Sequence, residues 1–457
     1  MKILITGATG LVGMRLLESL MLKGYDDIRV LTRDKKFAME KIPFPVEFFL
    51  WNPKDQYLQD GAFDDVEIII HLAGENIADG RWSGEKKKRI QESRLQSSNL
   101  LINEIKKNKF TPRKFISSSA VGIYGNCKDE IITSKSLLGD DYLATVCRAW
   151  EDSVLKSNIP NMKVYCIRTG VVLADSGGAL QKMLPAFRSG VAGRIGSGLQ
   201  YMSWIHLDDL VSQFIFLIEN NTHHSIYNGT SPNPVTNIEF TKTLGSVLKR
   251  PTFFPIPAVA LKALFGEMSG ILLNGQRVVP AEFLNEGFKF KFGDLSDAFK
   301  DILKFNNLGE TVLNRYQWID RPIDMVFNFF STESNLEKIT PPYLNFKILS
   351  KDTPKITTGT KINYRLKIHG IPLIWKSKIS IFEENKTFTD IQISGPYKKW
   401  VHQHDFINCK KGTLIKDKVV YKLPMGLVGQ FIAGCFVNKD VKNIFTYRNI
   451  IIKNQFK

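Results

Sequence analysis

The sequence predicts an α/β unit built on a doubly wound parallel sheet with a small lobe, followed by a separate α+β unit. The first observation is rhythm. Apolar runs of strand length (Lys2 to Thr6, Ile28 to Thr32, Val46 to Leu50, Val66 to Leu72, Lys114 to Ser118, Val164 to Arg168) alternate with helical patterns through about residue 220. Short continuous apolar strands separated by helices belong in a parallel sheet covered on both faces. The second observation is that this rhythm stops over 221–308. Turns rich in Pro and Asn (Asn228 to Val235) lead there into helical stretches at Asn237 to Leu248 and Ala258 to Leu273. The third is a further change after Gly309. One strand (Thr311 to Ile319) and a helix opened by Pro322 precede runs that alternate as strands do: Lys361 to Ile368, Ile374 to Phe382, Thr387 to Ser394, Lys399 to Phe406 and Thr413 to Lys422. A helical stretch from Gly426 to Ile451 closes the chain, and a long helix against a curved antiparallel sheet encloses a cavity.

Length agrees with this division. A chain of 457 residues exceeds what one hydrophobic core supports. The expected domains are 1–220, a lobe at 221–308 with contributions from 170–205, and 309–457. Met1 leads at once into the apolar Ile3 to Ile5, with no charged-then-apolar leader, so a cytoplasmic location is expected. The apolar stretch Met425 to Val437 is interrupted by Gly426, Gly429 and Gly434 and is shorter than the ~20 residues a bilayer needs. It reads as a packed helix, with no integral membrane contact. Cys127, Cys147, Cys166, Cys409 and Cys435 form no CxxC pair, which fits buried free thiols in a reducing compartment. The net charge is +17, and residues 310–457 hold 24 Lys+Arg against 12 Asp+Glu. The lysines lie scattered along strand-like segments, as on a solvated surface, and aromatic interleaving of the nucleic-acid-binding kind is lacking.

Thr6-Gly7-Ala8-Thr9-Gly10-Leu11-Val12-Gly13 follows an apolar strand and opens an amphipathic helix. In that context GxxGxxG is a dinucleotide-binding turn of the Rossmann type. Gly7 serves the tight turn, Gly10 admits the pyrophosphate, and Gly13 lets helix and strand pack closely, while the helix amino terminus offers N–H groups to phosphate. The second strand ends Leu31-Thr32-Arg33-Asp34. An acidic residue at that tip takes the ribose 2′-OH of NAD, whereas Arg accommodates the 2′-phosphate of NADP. Arg33, followed by Lys35 and Lys36, points to NADP(H) in preference to NAD(H). Asp34 either caps the next helix or takes the ribose.

These residues resemble the extended short-chain dehydrogenase/reductase group of NAD-dependent epimerases and dehydratases over about residues 1 to 300. The resemblance rests on the glycine turn, His71-Leu72-Ala73-Gly74, Ser117-Ser118-Ser119-Ala120 running to Tyr124-Gly125, and Trp204-Ile205-His206-Leu207-Asp208-Asp209. Gly74-Glu75-Asn76-Ile77-Ala78, Arg81-Trp82, Ser93-Arg94, Cys147-Arg148-Ala149-Trp150-Glu151 and Gly275 to Pro280 are similar to an atypical epimerase-family subgroup with its own C-terminal extension. After residue 310, Trp400-Val401-His402-Gln403-His404-Asp405-Phe406 and Asp417 to Tyr421 resemble the START-like polyketide cyclase (SRPBCC) superfamily, a helix-grip fold.

The resemblance implies a set of site residues. Gly7, Thr9, Gly10, Leu11, Val12, Gly13, Arg33, Leu72, Ala73, Gly74, Ser117 and Ser118 would bind cofactor, and Asn76, Arg81, Tyr124 and Arg168 substrate. The family's Ser polarises the substrate oxygen, its Tyr passes a proton, and a Lys four residues later binds the nicotinamide ribose. Ser119 holds the serine position, but YxxxK is missing. With Glu151 as helix marker, Leu143 and Cys147 stand at the Tyr and Lys positions; with Tyr142 as the tyrosine, Val146 does. Tyr142, one position away, is the remaining proton-transfer candidate, because one helical step turns a side chain by about 100°. Without a neighbouring cation its phenol is poorly matched to neutral pH.

His206, Asp208 and Asp209 suggest a helix cap, and no metal is assigned. Trp400, His402, His404 and Phe406 share one strand face, directed either to a cavity or to water. The expected function is an NAD(P)-dependent oxidoreductase or epimerase coupled to a hydrophobic-ligand-binding unit. The alternative is a non-catalytic NADP(H) sensor or a lipid or quinone carrier. Expected partners are a small-molecule substrate, a hydrophobic ligand in the C-terminal unit and a second copy of the chain, with no nucleic acid.

Overall fold

The structure is a computed structural model describing residues 1–107, 111–303, 310–409, 412–424 and 426–456. It divides into two compact units, Met1–Ile42 with Val46–Ile302, and Leu303 onward.

The first unit is organised by an eight-stranded sheet in the order Ile226–Gly229, Lys163–Thr169, Lys114–Ala120, Ile68–His71, Ile3–Thr6, Ile28–Thr32, Glu47–Asn52, Tyr57–Leu58. All pairings are parallel except the last, where Trp51 faces Leu58. Ile3–Thr6 and Ile68–His71 are buried throughout, as strands covered on both faces must be. They also flank the point where strand order reverses, and in open α/β sheets the crevice beyond the strand ends at such a point is where ligands bind. Leu4, Ile69 and Phe115 from the strands pack with Leu101 and Ile105 of the long helix Gly84–Lys107.

Two details differ from the sequence expectation. The strand Ile226–Gly229 joins the main sheet against Cys166–Thr169 although it lies beyond residue 220, because Asn228 and Gly229 break the apolar signature by which strands are read. The helix expected over 258–273 is Ala258–Phe265, a 3-10 turn Gly266–Ser269 and Gly270–Leu273. Gly266 adopts φ +58, a left-handed conformation that ends an α-helix.

The second unit is a seven-stranded antiparallel sheet in the order Glu310–Ile319, Gly412–Lys422, Lys399–Cys409, Thr387–Ser394, Ile371–Glu383, Lys361–Ile368, Lys347–Lys351. The strand Lys347–Lys351 and the helix Glu333–Lys338 carry no pattern strong enough to be read beforehand. Ile323–Phe330 follows Pro322, its N-cap, and a 30-residue helix, Gly426–Gln455, closes the chain. Phe327, Phe388, Phe406 and Ile415 form one core cluster. Beside it the sheet encloses a cavity of about 740 Å³, its wall including Tyr364, Trp375, Tyr397 and Trp400. Among the described residues no helix is long and apolar enough to cross a membrane. Cys147, Cys166 and Cys409 are buried and Cys127 is half-buried, and these four form no disulfide with one another. Met425 and the Cys435 side chain lie outside the described residues.

Candidate functional site

The glycine turn is built as an anion cradle. Gly7 adopts φ +69, and a Cβ there would stand 2.8 Å from the Leu72 carbonyl carbon; one on Gly13 would stand 2.4 Å from the Gly7 oxygen. Helix Leu11–Leu22 starts at Gly10 with no side-chain cap and no acidic residue in its first turn. Its first intrahelical bond runs from Met14 N to Gly10 O at 3.0 Å, so the Leu11, Val12 and Gly13 amides precede the helical ladder and present donors to an anion.

A buried relay fixes the neighbouring strand end. Thr6 Oγ1 accepts from Leu72 N and Ala73 N, both at 3.2 Å, and lies 2.7 Å from His71 Nδ1. With two amides donating to it, Thr6 directs its own proton to Nδ1. The proton on His71 Nε2 then serves Ser97 and Ser98 Oγ, each 3.2 Å away. Burial holds this imidazole neutral, with its pKa lowered to about 3. Leu72, Ala73 and Gly74 thereby line the crevice opposite Gly7.

Arg33 is exposed at the tip of the second strand. Asp34 is the N-cap of helix Lys35–Lys41, its carboxylate accepting from Phe37 N at 2.9 Å, which commits it to the helix and leaves the tip to Arg33. Across the crevice Glu75 binds Lys86 at 2.8 Å, with Arg89 at 3.8 Å. Their charges and that of Arg33 hold the Glu75 carboxyl below its ordinary value, the Lys86 hydrogen bond most of all.

The other candidates separate into two groups. Asn76 and Arg81 are exposed, and Arg81 Nε would lie 3.4 Å from a Cβ on Gly266. Tyr142 is half-buried beside them, its ring 5.3 Å from that of Trp82 and 5.0 Å from Lys87 Nζ. Its hydroxyl donates to the Lys87 carbonyl at 2.8 Å. Burial raises the Tyr142 phenol above its ordinary pKa, and the nearby Arg94 charge offsets only part of the rise.

The second group, Ser119, Tyr124, Arg168 and Ser117, is buried inside the protein. Arg168 meets Glu151 through two bonds, Nε to Oε1 at 2.9 Å and Nη2 to Oε2 at 2.7 Å. It also donates to Tyr124 Oη at 2.9 Å, and Tyr124 donates to Asn228 Oδ1 at 2.7 Å. Ser119 Oγ donates to Glu151 Oε1 at 2.6 Å. Tyr124 and Arg168 are each 2% exposed and Ser119 is 3% exposed. A charge buried this deeply must be paired, and Arg168 answers Glu151. Strand alternation places Ser117 on the same buried face, bonded to the Ser118 carbonyl, while Ser118 keeps partial exposure.

Two residues that matter had no assigned role. Glu151 served only to mark the helix register. Arg94 lies on the inward stripe of helix Gly84–Lys107 with Ile90, Ser97, Ser98 and Leu101, and an arginine on an apolar stripe is the signal that could have found it. Its guanidinium stands 5.0 Å from the Trp150 ring and would lie 3.3 Å from a Cβ on Gly74. Nη1 donates to the Glu75 and Ile90 carbonyls.

The metal-like motif resolves into structural contacts. His206 Nδ1 accepts from Asp208 N, Asp208 pairs with Arg15 at 2.7 Å, and Asp209 accepts from Lys291 N and Phe292 N.

Comparison with known proteins agrees with this geometry. The NAD dependent epimerase/dehydratase family profile matches residues 3–228, and a domain of unknown function (DUF1731) matches 256–302. "Epimerase family protein SDR39U1 homolog, chloroplastic" of Arabidopsis thaliana is 39% identical over 309 residues, 66% of this chain and 87% of that protein. "Epimerase family protein YfhF" of Bacillus subtilis is 32% identical over 309 residues, 66% of this chain and 98% of that protein. A crystal structure of human epimerase family protein SDR39U1 (isoform2) with NADPH superposes with a TM-score of 0.60 at 30% identity, covering 66% of this chain and 99% of that one.

Proposed function

The chain belongs to the NAD dependent epimerase/dehydratase family, and on that premise we propose that its first unit binds NADP(H) and acts as an oxidoreductase or epimerase on a small molecule in the cytoplasm. The observation that carries this is the uncapped helix start at Gly10 beside two glycines whose neighbours leave no room for a Cβ. The Leu11 and Val12 amides take the pyrophosphate, Arg33 with Arg89 takes the ribose 2′-phosphate, and Leu72 to Gly74 border the nicotinamide half. Bound NADP(H) supplies hydride transfer. Residues 230–302, beyond the strand that joins the main sheet, form the lobe over the substrate, with Asn76 and Arg81 at its rim. No Ser–Tyr–Lys relay operates, because the Ser119 hydroxyl is engaged by Glu151. Arg94, between Gly74 and Trp150, supplies the cation beside Tyr142 that the absent lysine would have provided. The second unit is a START-like helix-grip carrier for an apolar molecule, a reading supported by its antiparallel sheet, closing helix and 740 Å³ cavity.

Calorimetry tests the first step: NADPH binds more tightly than NADH, and the reading fails if neither binds. Stopped-flow oxidation of bound NADPH across a panel of carbonyl compounds tests the second. The hydrogen bond from Tyr142 to the Lys87 carbonyl and the engaged Ser119 favour one rival, a sensor that binds NADP(H) without turnover. Bound cofactor that no substrate oxidises identifies the sensor.

A further inference from the structure

Three adjacent strands of the second unit bring four ionisable side chains to one place. The register sets Asp390 opposite His402 and His404 opposite Asp417. His402 and His404, two residues apart, share the face of the central strand that looks into the cavity, whose wall includes Asp390, His402 and His404. The two imidazoles are 4% and 3% exposed, with ring centres 3.8 Å apart.

Each imidazole has one nitrogen turned to each carboxylate. His402 Nε2 lies 3.0 Å and His404 Nδ1 2.6 Å from the same Asp417 oxygen. The opposite nitrogens, His402 Nδ1 and His404 Nε2, lie 3.6 Å and 3.9 Å from Asp390 Oδ1. Those last two separations exceed hydrogen-bond reach, yet one ligand atom from each of Asp390, His402 and His404 falls within 4.8 Å of the others. A tetrahedral ion with bonds of about 2.1 Å sets its donors roughly 3.4 Å apart, so small side-chain movements close the gap. Asp417 occupies the place of the outer carboxylate that orients a ligating histidine through its other nitrogen.

We propose that Asp390, His402 and His404 bind a divalent transition-metal ion in the cavity wall, with Asp417 as the positioning residue behind both imidazoles. Two imidazoles and one carboxylate suit Zn²⁺ or Fe²⁺. Three protein ligands leave coordination positions open to the cavity. Counting only the groups at the ion itself, Asp390, Asp417, the Arg448 guanidinium and a divalent ion sum to one positive charge, which a cavity ligand with one anionic oxygen donor would balance. This inference stands on the second unit alone and is independent of what the first unit binds.

The test uses the full chain, stripped with chelator and titrated with Co²⁺, then competed with Zn²⁺. The expected result is saturable uptake of a single Co²⁺ with visible d–d bands of nitrogen and oxygen ligation, displaced by Zn²⁺. His402→Ala and His404→Ala each abolish the bands. Asp417→Asn retains them with affinity lowered about 10- to 100-fold, which keeps the test decisive if the histidine variants do not fold. Absence of saturable Co²⁺ or Zn²⁺ uptake by the unaltered chain overturns the proposal. So do thiolate charge-transfer bands, or uptake unchanged in folded His404→Ala.

Discussion

Arg168 and Glu151 face each other through two parallel hydrogen bonds of 2.9 and 2.7 Å, with side chains only 3% and 5% exposed. The pair joins the strand Lys163–Thr169 to the helix Tyr142–Leu155 and gathers Ser119 and Tyr124 around it. Removing one partner strands a buried charge, which costs about 3–5 kcal/mol. Glu151→Ala is therefore expected to lower stability by that amount in urea unfolding. Replacing both residues with apolar side chains of similar volume should cost less than either single change.

Glycines of the cradle should separate binding from folding. A Cβ on Gly10 meets only the Gly7 oxygen, at 3.2 Å, whereas one on Gly13 meets backbone at 2.4 Å. Gly10→Val is expected to weaken NADPH binding at least about tenfold, as loss of charged hydrogen bonds implies, while leaving Tm near the parent value. Gly13→Val should lower Tm as well.

Cofactor choice is expected to rest on Arg33 and not on Asp34. Arg33→Ala should reduce NADPH affinity about 10- to 100-fold, the value of a charged hydrogen bond or two, with NADH affinity little changed. Asp34→Ala should leave both affinities alone and cost about 1 kcal/mol as a lost N-cap. Calorimetry with each nucleotide, paired with urea unfolding, reads both effects.

His71 makes the first unit acid-sensitive. Its pKa is about 3 when folded, against an ordinary 6.5, so below 6.5 the unfolded chain takes up the proton first. The neutral imidazole's contribution is complete above 6.5 and declines by up to about 1.4 kcal/mol per pH unit as the pH falls toward 3. Urea unfolding across that range should show a shallower pH slope for His71→Gln than for the parent.

Cys147, which stands at the family's lysine position when Glu151 is taken as the helix marker, is expected to be inert. Burial raises its thiol to about 11, and the thiolate is the reactive form. Iodoacetamide at about pH 8 should leave Cys147 unmodified in the native protein and modify it after denaturation, as peptide mass spectrometry would show.

Periodicity and turn chemistry were legible in the linear chain. The strand Ile3–Thr6, the turn through the glycines at 7, 10 and 13 and the strand end before Arg33 stand where the chain predicts them, since each depends on neighbours within a few residues. The alternation of Trp400, His402, His404 and Phe406 likewise showed that the histidines share a face. Local pattern does not reveal what lies across a sheet or between a strand and a helix. Ser119, Tyr124 and Arg168 are equally compatible, residue by residue, with a substrate pocket or with a sealed network. Arg168 is directed inward by the Glu151 carboxylate, brought alongside only when helix and sheet pack.

Sequence alone determined the doubly wound sheet, its glycine turn and the alternating strands of the second unit, because hydrophobic period and backbone conformation are properties of contiguous residues. Tertiary structure alone decided that Arg94 lies against Gly74 and Trp150, and that Asp390 and Asp417 flank two histidines on neighbouring strands. Those outcomes depend on distances between residues far apart in the chain, and such distances exist only once burial has forced each charge to find its partner.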